Sequence, residues 1–205
     1  NISTAVAFVC SAAGKTVAKH GNRAVSSNVG SADVLEALGV RIDLTPESVT
    51  RCVDDIGLGF LFAPRHHSAL RHAAPVRRAL GFRTVLNLLG PMTNPASATH
   101  QLIGVFALDR LRQVATVLSR LDSKRALIVH GEDGLDEISI ASPTYCALWD
   151  GSIVRDVTIT PEGLGIERSS LSTVTGGDAH KNAEMIRAAL NAQDQASFDI
   201  VRLNA

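Results

Sequence analysis

Neither sign of charge is in excess: 20 Lys+Arg stand against 20 Asp+Glu over 205 residues, a formal net charge of zero. Without a basic surplus there is no overall electrostatic pull toward nucleic acid or an anionic membrane. Aromatic residues are scarce too. A single Trp and a single Tyr leave few platforms on which bases could stack. The three cysteines, Cys10, Cys52 and Cys146, are odd in number, far apart and set among apolar neighbours. This predicts buried free thiols in a reducing compartment, over a metal or redox site.

Long hydrophobic runs are missing as well. Residues 2–14 are uncharged but too short to span a bilayer and polar at Ser3 and Thr4, while Pro91 and Pro95 break residues 84–99 into loop. The chain opens without Met on a helix start and ends within an apolar-periodic segment at 200–205. It therefore reads as part of a larger polypeptide, cut at both ends. Its 205 residues suffice for one full core, so a single domain over 1–205 is expected. No internal repeat and no low-complexity segment interrupts it.

Helix and strand signals alternate. Asn1 or Ser3 caps a helix over about 4–13 that stops at Gly14. Thr16, Val17 and Ala18 form a short buried strand that ends at Lys19 and His20. Ser31 caps a helix closed by Gly39, and residues 40–43 are strand-like. Thr45, Pro46 and Glu47 place a cap, a proline at the first helical position and an acid in the first turn of a helix to about Ile56. Strands follow at 60–63 and 102–106, with a helical stretch over 67–80 interrupted near Pro75.

Leu111, Val114, Ala115, Leu118 and Leu121 share one face of an amphipathic helix over 109–121. A continuous apolar strand at 126–130 leads into Gly131. Strands at 145–149 and 153–158 turn at Asp150 and Gly151, and Asp178 caps a last helix over 179–190. The expected fold is α/β: a mostly parallel central sheet with helices on both faces and a small antiparallel strand pair near 145–158. In such a fold ligands bind at the C-terminal ends of the strands.

Three groups of residues carry chemistry. Asn1, Ser3 and Thr4 put hydrogen-bonding groups at a helix N-terminus, which favours an anion, although ordinary capping explains one of them. Lys19, His20, Asn22 and Arg23 follow a strand directly and lead to Ser26, Ser27 and Ser31. A polar surface loop and a cradle for a phosphorylated, hydroxylated small molecule are both open readings. Asp136 and Glu137, beside Gly134 and after a buried strand, form either a solvated turn or a site for a hard cation such as Mg2+. His66, His67 and His72 are poorly spaced for zinc, whereas Arg71, Arg77 and Arg78 suit an anion clamp.

The order KHGNRAVSS and GSADVLEALG, then HH and PVRRALGFRT, then NLLGPMTNP and HGEDGLDEIS closely resembles the anthranilate phosphoribosyltransferases across the whole chain. The resemblance implies a Mg2+-dependent pentosyltransferase of tryptophan biosynthesis, with the nucleoside phosphorylase/phosphoribosyltransferase-like fold. It would transfer the phosphoribosyl group of phosphoribosyl diphosphate to anthranilate. The same resemblance implies a homodimer in the full-length protein, a cytoplasmic location and neither nucleic-acid nor membrane partners.

By the same resemblance, Asn1, Ser3, Thr4, Lys19, Asn22 and Ser31 bind phosphoribosyl diphosphate. His20, Asn22, His67 and Arg77 line the anthranilate path. Ser3, Asp136 and Glu137 serve the metal, and Thr93 and Asn94 are structural. The family's glycine-rich diphosphate loop is expected just before Asn1, and its helical dimer region upstream. Ser68 stands where the family usually has Pro, and Asn28 where Lys is frequent. Remaining alternatives are a related phosphoribosyltransferase or nucleoside-phosphorylase-like enzyme with another acceptor, and a non-catalytic ligand- or nucleic-acid-binding fragment.

Overall fold

The computed structural model describes residues 1–24, 29–67, 84 and 86–205. The helices, in chain order, are α1 (Ile2–Ala12), α2 (Ser31–Ala37), α3 (Pro46–Ile56), α4 (Ala63–His66), α5 (Leu86–Met92), α6 (Leu111–Ser119), α7 (Ala179–Leu190) and α8 (Gln195–Asn204). The strands are β1 (Val17–Gly21), β2 (Leu58–Phe62), β3 (His100–Gly104), β4 (Arg125–Gly131), β5 (Thr144–Trp149) and β6 (Val154–Ile159). Two compact units emerge. One comprises Asn1–Asn87, Gly176–Val201 and Ala205; the other comprises Leu88–Thr175 and Arg202–Asn204.

In the first unit β1 and β2 pair in parallel, with Val17 opposite Leu58 and Gly21 opposite Phe62. The helices end where local chemistry dictates. α3 begins at Thr45, whose hydroxyl accepts from the Ser48 N–H at 3.3 Å, and α7 begins at Asp178, whose carboxylate accepts from the Lys181 N–H at 2.8 Å. Ala32, Leu35 and Ile42 make a small buried cluster, with Phe8, Leu38, Phe60 and Phe62 against it.

The strand expected at 40–43 does not form. Ile42 is anchored in that cluster, but among the described residues no strand lies beside 40–43 to accept its backbone. Nor is 179–190 the last helix: α8 follows it, capped by Asp194, whose carboxylate accepts from the Ser197 N–H at 3.2 Å. The stretch 68–80 of the expected helix over 67–80 lies outside the described residues.

The second unit carries a four-stranded sheet in the order β3-β4-β5-β6. α6 packs on β4 and β5. Leu111, Val114, Ala115 and Leu118 meet Ile103, Ala126, Ile128 and Ala147 in one buried core. Each buried Leu, Ile or Val side chain there contributes about 1.5–3 kcal/mol. The turn between β5 and β6 is built on Asp150, whose carboxylate accepts from the N–H groups of Ser152 (2.9 Å) and Ile153 (3.0 Å). These donors and Arg155 hold that carboxyl well below its ordinary value.

The sheet departs from the mostly parallel expectation. β1–β2 and β3–β4 are parallel and β5–β6 is the antiparallel pair expected near 145–158, but β4–β5 is antiparallel as well. The connections decide this: α6 gives β3 and β4 a helical crossover, while residues 132–143 and the tight turn at 150–153 reverse the chain. Of the three free thiols only Cys146 is buried, and burial pushes it up to about 11; Cys10 and Cys52 are half-exposed, contrary to expectation. No described helix is long and apolar enough to cross a membrane.

Candidate active site

The end of β1 carries several of the candidate site's polar residues. Lys19 Nζ donates to Ser3 Oγ at 3.1 Å, so an ammonium group and an exposed hydroxyl meet in the first turn of α1. Asn1 is the N-cap of that helix, but its side chain makes no capping bond. Thr4 differs from its neighbours. It is buried (1% exposed), its hydroxyl has no hydrogen-bond partner among the described residues, and it faces an apolar cavity of about 160 Å3 lined by Phe8, Lys19, Leu35 and Phe60.

Beyond β1 the chain folds back on itself. The carbonyl of Asn22 accepts from Ala32 N–H at 3.2 Å and from Ser31 Oγ at 3.5 Å, which brings Asn22 and Ser31 together. Gly21 allows this approach. A Cβ there would collide with Ser31 Oγ and lie 2.8 Å from the Phe60 ring. His20 sits edge-on to His67, with ring centroids 4.8 Å apart at 75°. His67 follows α4, and its N–H donates to Ala63 O at 2.9 Å. Burial, with the neighbouring His67, holds the His66 imidazole below its ordinary value. Arg77 lies outside the described residues.

Arg23 takes a different role from its cationic neighbours. Its guanidinium grips Glu36 through two bonds (2.5 and 2.8 Å), reaches Asp33 at 3.0 Å and lies 5.8 Å from the centre of the Phe62 ring. Both acids therefore already claim it. Nor does Ser31 cap α2 as expected. Gly30 is the N-cap, and the Asp33 carboxylate accepts from Gly30 N–H (2.9 Å) and Ala24 N–H (3.1 Å), fastening both residues to α2. Asp33 is thus a residue that motif reading passed over, although an acid three places after a cap is a recognisable signal.

Burial pushes the Asp33 carboxyl up, but the two N–H donors and Arg23 outweigh it and hold the group below its ordinary value. A lowered folded-state pKa gives stability that is complete above the unfolded value of about 4 and lost as pH falls through the folded one. Wild type and Asp33→Asn should therefore differ most in thermal midpoint at pH 6–7 and converge toward pH 3. A gap that does not change with pH would show that the ionised carboxylate is not what holds Ala24 and Gly30.

In the second unit, residues 131–138 form a turn pinned on both sides of Asp136 and Glu137. Gly131 N–H donates to Leu135 O at 2.7 Å, and Leu135 N–H to Asp133 Oδ1 at 3.1 Å. Ile138 is clamped by the buried Asn204 amide, which accepts from its N–H and donates to its carbonyl, each at 2.8 Å. Asp136 is exposed, and its carboxylate has no partner among the described residues; Glu137 is half-buried. Two adjacent carboxylates with one unengaged suit a hard cation such as Mg2+, which takes one or two carboxylates and completes its shell with water and substrate oxygens. Among the described residues no group of three or more His, Cys, Asp or Glu offers a closed metal cage.

Residues 1–205 match the glycosyl transferase family, a/b domain. The chain is 56% identical over 208 residues to an anthranilate phosphoribosyltransferase of Thermomicrobium roseum, covering all of this chain and 60% of that protein. The crystal structure of anthranilate phosphoribosyltransferase from Thermus thermophilus superposes with a TM-score of 0.90 at 44% identity, covering 98% of this chain and 60% of that one. The Saccharomyces cerevisiae enzyme in complex with PRPP and Mg gives 0.88 at 27%, over all of this chain and 58% of that one. The chain thus spans about 60% of the length of the relatives it matches. It belongs to the glycosyl transferase family as an a/b domain, and the relatives it resembles are anthranilate phosphoribosyltransferases.

Proposed function

We propose that this chain is the phosphoribosyl-transferring α/β domain of an anthranilate phosphoribosyltransferase, with the nucleoside phosphorylase/phosphoribosyltransferase-like fold. The observation that carries this reading is the convergence at the end of β1 of Lys19 with Ser3, Asn22 with Ser31, and His20 with His67. The first two pairs offer an ammonium, hydroxyls and an amide to the phosphates and hydroxyls of phosphoribosyl diphosphate. Asn1 adds a donor at the α1 N-terminus, where helix N–H groups favour an anion, while the Thr4 hydroxyl, the other group assigned to this substrate, is buried against the apolar cavity. The imidazole pair, with Asn22 and Arg77, lines the path of anthranilate.

The reaction joins the anthranilate nitrogen to the anomeric carbon of the ribose. The carbon–oxygen bond to diphosphate breaks, and the nitrogen loses a proton. An aromatic amine is already a free base at neutral pH, so the residues need only orient it, and orientation is worth on the order of 7–11 kcal/mol of barrier at best. The diphosphate leaving group carries away negative charge. Lys19 and the N–H groups of α1 stabilise that charge by being held in place beforehand. Asp136, Glu137 and Ser3 are assigned to Mg2+, which when bound neutralises the diphosphate.

The full-length protein would act as a cytoplasmic homodimer on these two small molecules, with no nucleic-acid or membrane partner. Its test is the complete polypeptide assayed with phosphoribosyl diphosphate, Mg2+ and a panel of aromatic acids. Turnover confined to 2-aminobenzoates and abolished by chelation is expected. Equal use of unrelated acceptors, or phosphorolysis of nucleosides, would replace this reading with that of a related transferase.

A further inference from the structure

We infer that Gly104 and Asn204 are positioning residues for the Asp136–Glu137 pair, Gly104 by leaving room for its peptide and Asn204 by clamping the residue after it. The inference rests on the assignment of that pair to Mg2+. A Cβ on Gly104 would coincide with the carbonyl oxygen of Asp136 and lie 2.6 Å from its carbonyl carbon and 3.0 Å from its Cβ. The neighbour is backbone, so no side-chain rotation relieves the collision; either the strand end or the turn must move.

The hydrogen bonds show which one yields. Gly104 ends β3, in register with Val129 of β4. The next residue is held twice: Val105 N–H donates to Val129 O at 3.0 Å, and His130 Nδ1 lies 2.8 Å from Val105 O. Val105 is also buried in the core beneath α6. The strand end is therefore fixed. On the turn side, Leu135 and Ile138 are fastened, but the N–H and carbonyl of Asp136 make no hydrogen bond among the described residues. A methyl group on Gly104 must displace the Asp136 peptide and with it the direction of both carboxylates.

Asn204 acts on the other side. Its amide bonds both the N–H and the carbonyl of Ile138, 66 positions away, so the peptide following Glu137 cannot rotate. With Gly104 on one side and Asn204 on the other, the two carboxylates keep one spacing and one direction. Groups that orient metal ligands without touching the metal typically cost 10–100-fold in affinity when lost.

The test uses the full-length protein with Mn2+ as the probe, its EPR signal titrated in the presence of phosphoribosyl diphosphate, alongside the Mg2+ dependence of turnover. Gly104→Ala is expected to weaken Mn2+ binding about tenfold or more and to raise the Mg2+ requirement in parallel. The KM for anthranilate should stay near wild type, and the metal-free thermal midpoint should fall by a few degrees, the cost of about 1–3 kcal/mol of backbone displacement. A folded Gly104→Ala with Mn2+ affinity within about twofold of wild type would overturn the inference.

If Gly104→Ala does not fold, Asn204→Ala decides: weakened Mn2+ binding supports positioning, and unchanged binding overturns it. Asp136→Asn with Glu137→Gln separates the two levels. If that pair of changes leaves Mn2+ binding intact, the metal assignment itself has failed. If it abolishes binding while the positioning variants do not, only the inference has.

Discussion

On the proposed reading, the full-length protein carrying Asp136→Asn and Glu137→Gln should fold normally and lose at least about a hundredfold in kcat/KM, the scale of removing a preorganised charge that stabilises a developing anion. The fold should survive because the turn is fastened elsewhere. Its bonds run through Gly131 N–H to Leu135 O, Gly134 N–H to Gly131 O, the Asp133 carboxylate and the Asn204 amide. The Asp136 side chain contributes none of them. Both replacements keep shape and delete charge, so the deficit should fall on the metal. High Mg2+ should recover part of the activity, and thermal unfolding without metal should match wild type. Activity unchanged at low Mg2+ would remove the acidic pair from the mechanism.

What could be read from sequence was whatever a few neighbouring residues decide. Thr45 with Pro46, Asp178 before α7, and Asp150 with Gly151 each complete their own hydrogen bonds within a few positions, so those boundaries were legible. Residues 40–43 have a strand's alternation, but alternation does not supply a neighbouring strand. Sheet direction was hidden for a related reason. The apolar run of β4 looks the same whether the next strand returns by a crossover or by a turn, and only the 132–143 connection makes β5 antiparallel.

The site shows the same limit. Lys19, Asn22 and Arg23 belong to one motif, yet Arg23 is drawn to Asp33 and Glu36, which share its neighbourhood only once α2 has formed. Asp33 and Gly104 gain their roles from backbone brought close in space, and Asn204 reaches Ile138 across 66 positions. Residue type announces chemistry that touches a ligand; it is silent about residues that hold other residues.

Lys19→Met should raise the KM for phosphoribosyl diphosphate about 10–100-fold while leaving that for anthranilate within about twofold. The lysine stem lines the apolar cavity beside Phe8 and Phe60, and its ammonium reaches the exposed Ser3 hydroxyl at 3.1 Å. Met keeps the apolar stem against that wall and removes the ammonium, with its charge and its bond to Ser3. A hydrogen bond assisted by full charge is roughly twice as strong as a neutral one, and about 1.4 kcal/mol is tenfold in binding. Salt gives a second readout, because contacts between exposed charges weaken as ionic strength rises. Wild type should lose affinity for phosphoribosyl diphosphate with added salt more steeply than Lys19→Met. Ser3→Ala, which keeps the ammonium but removes the hydroxyl beside it, should retain the wild-type salt slope. Equal rises in both Michaelis constants, with parallel salt slopes, would make Lys19 a support for α1 and not a ligand for the diphosphate.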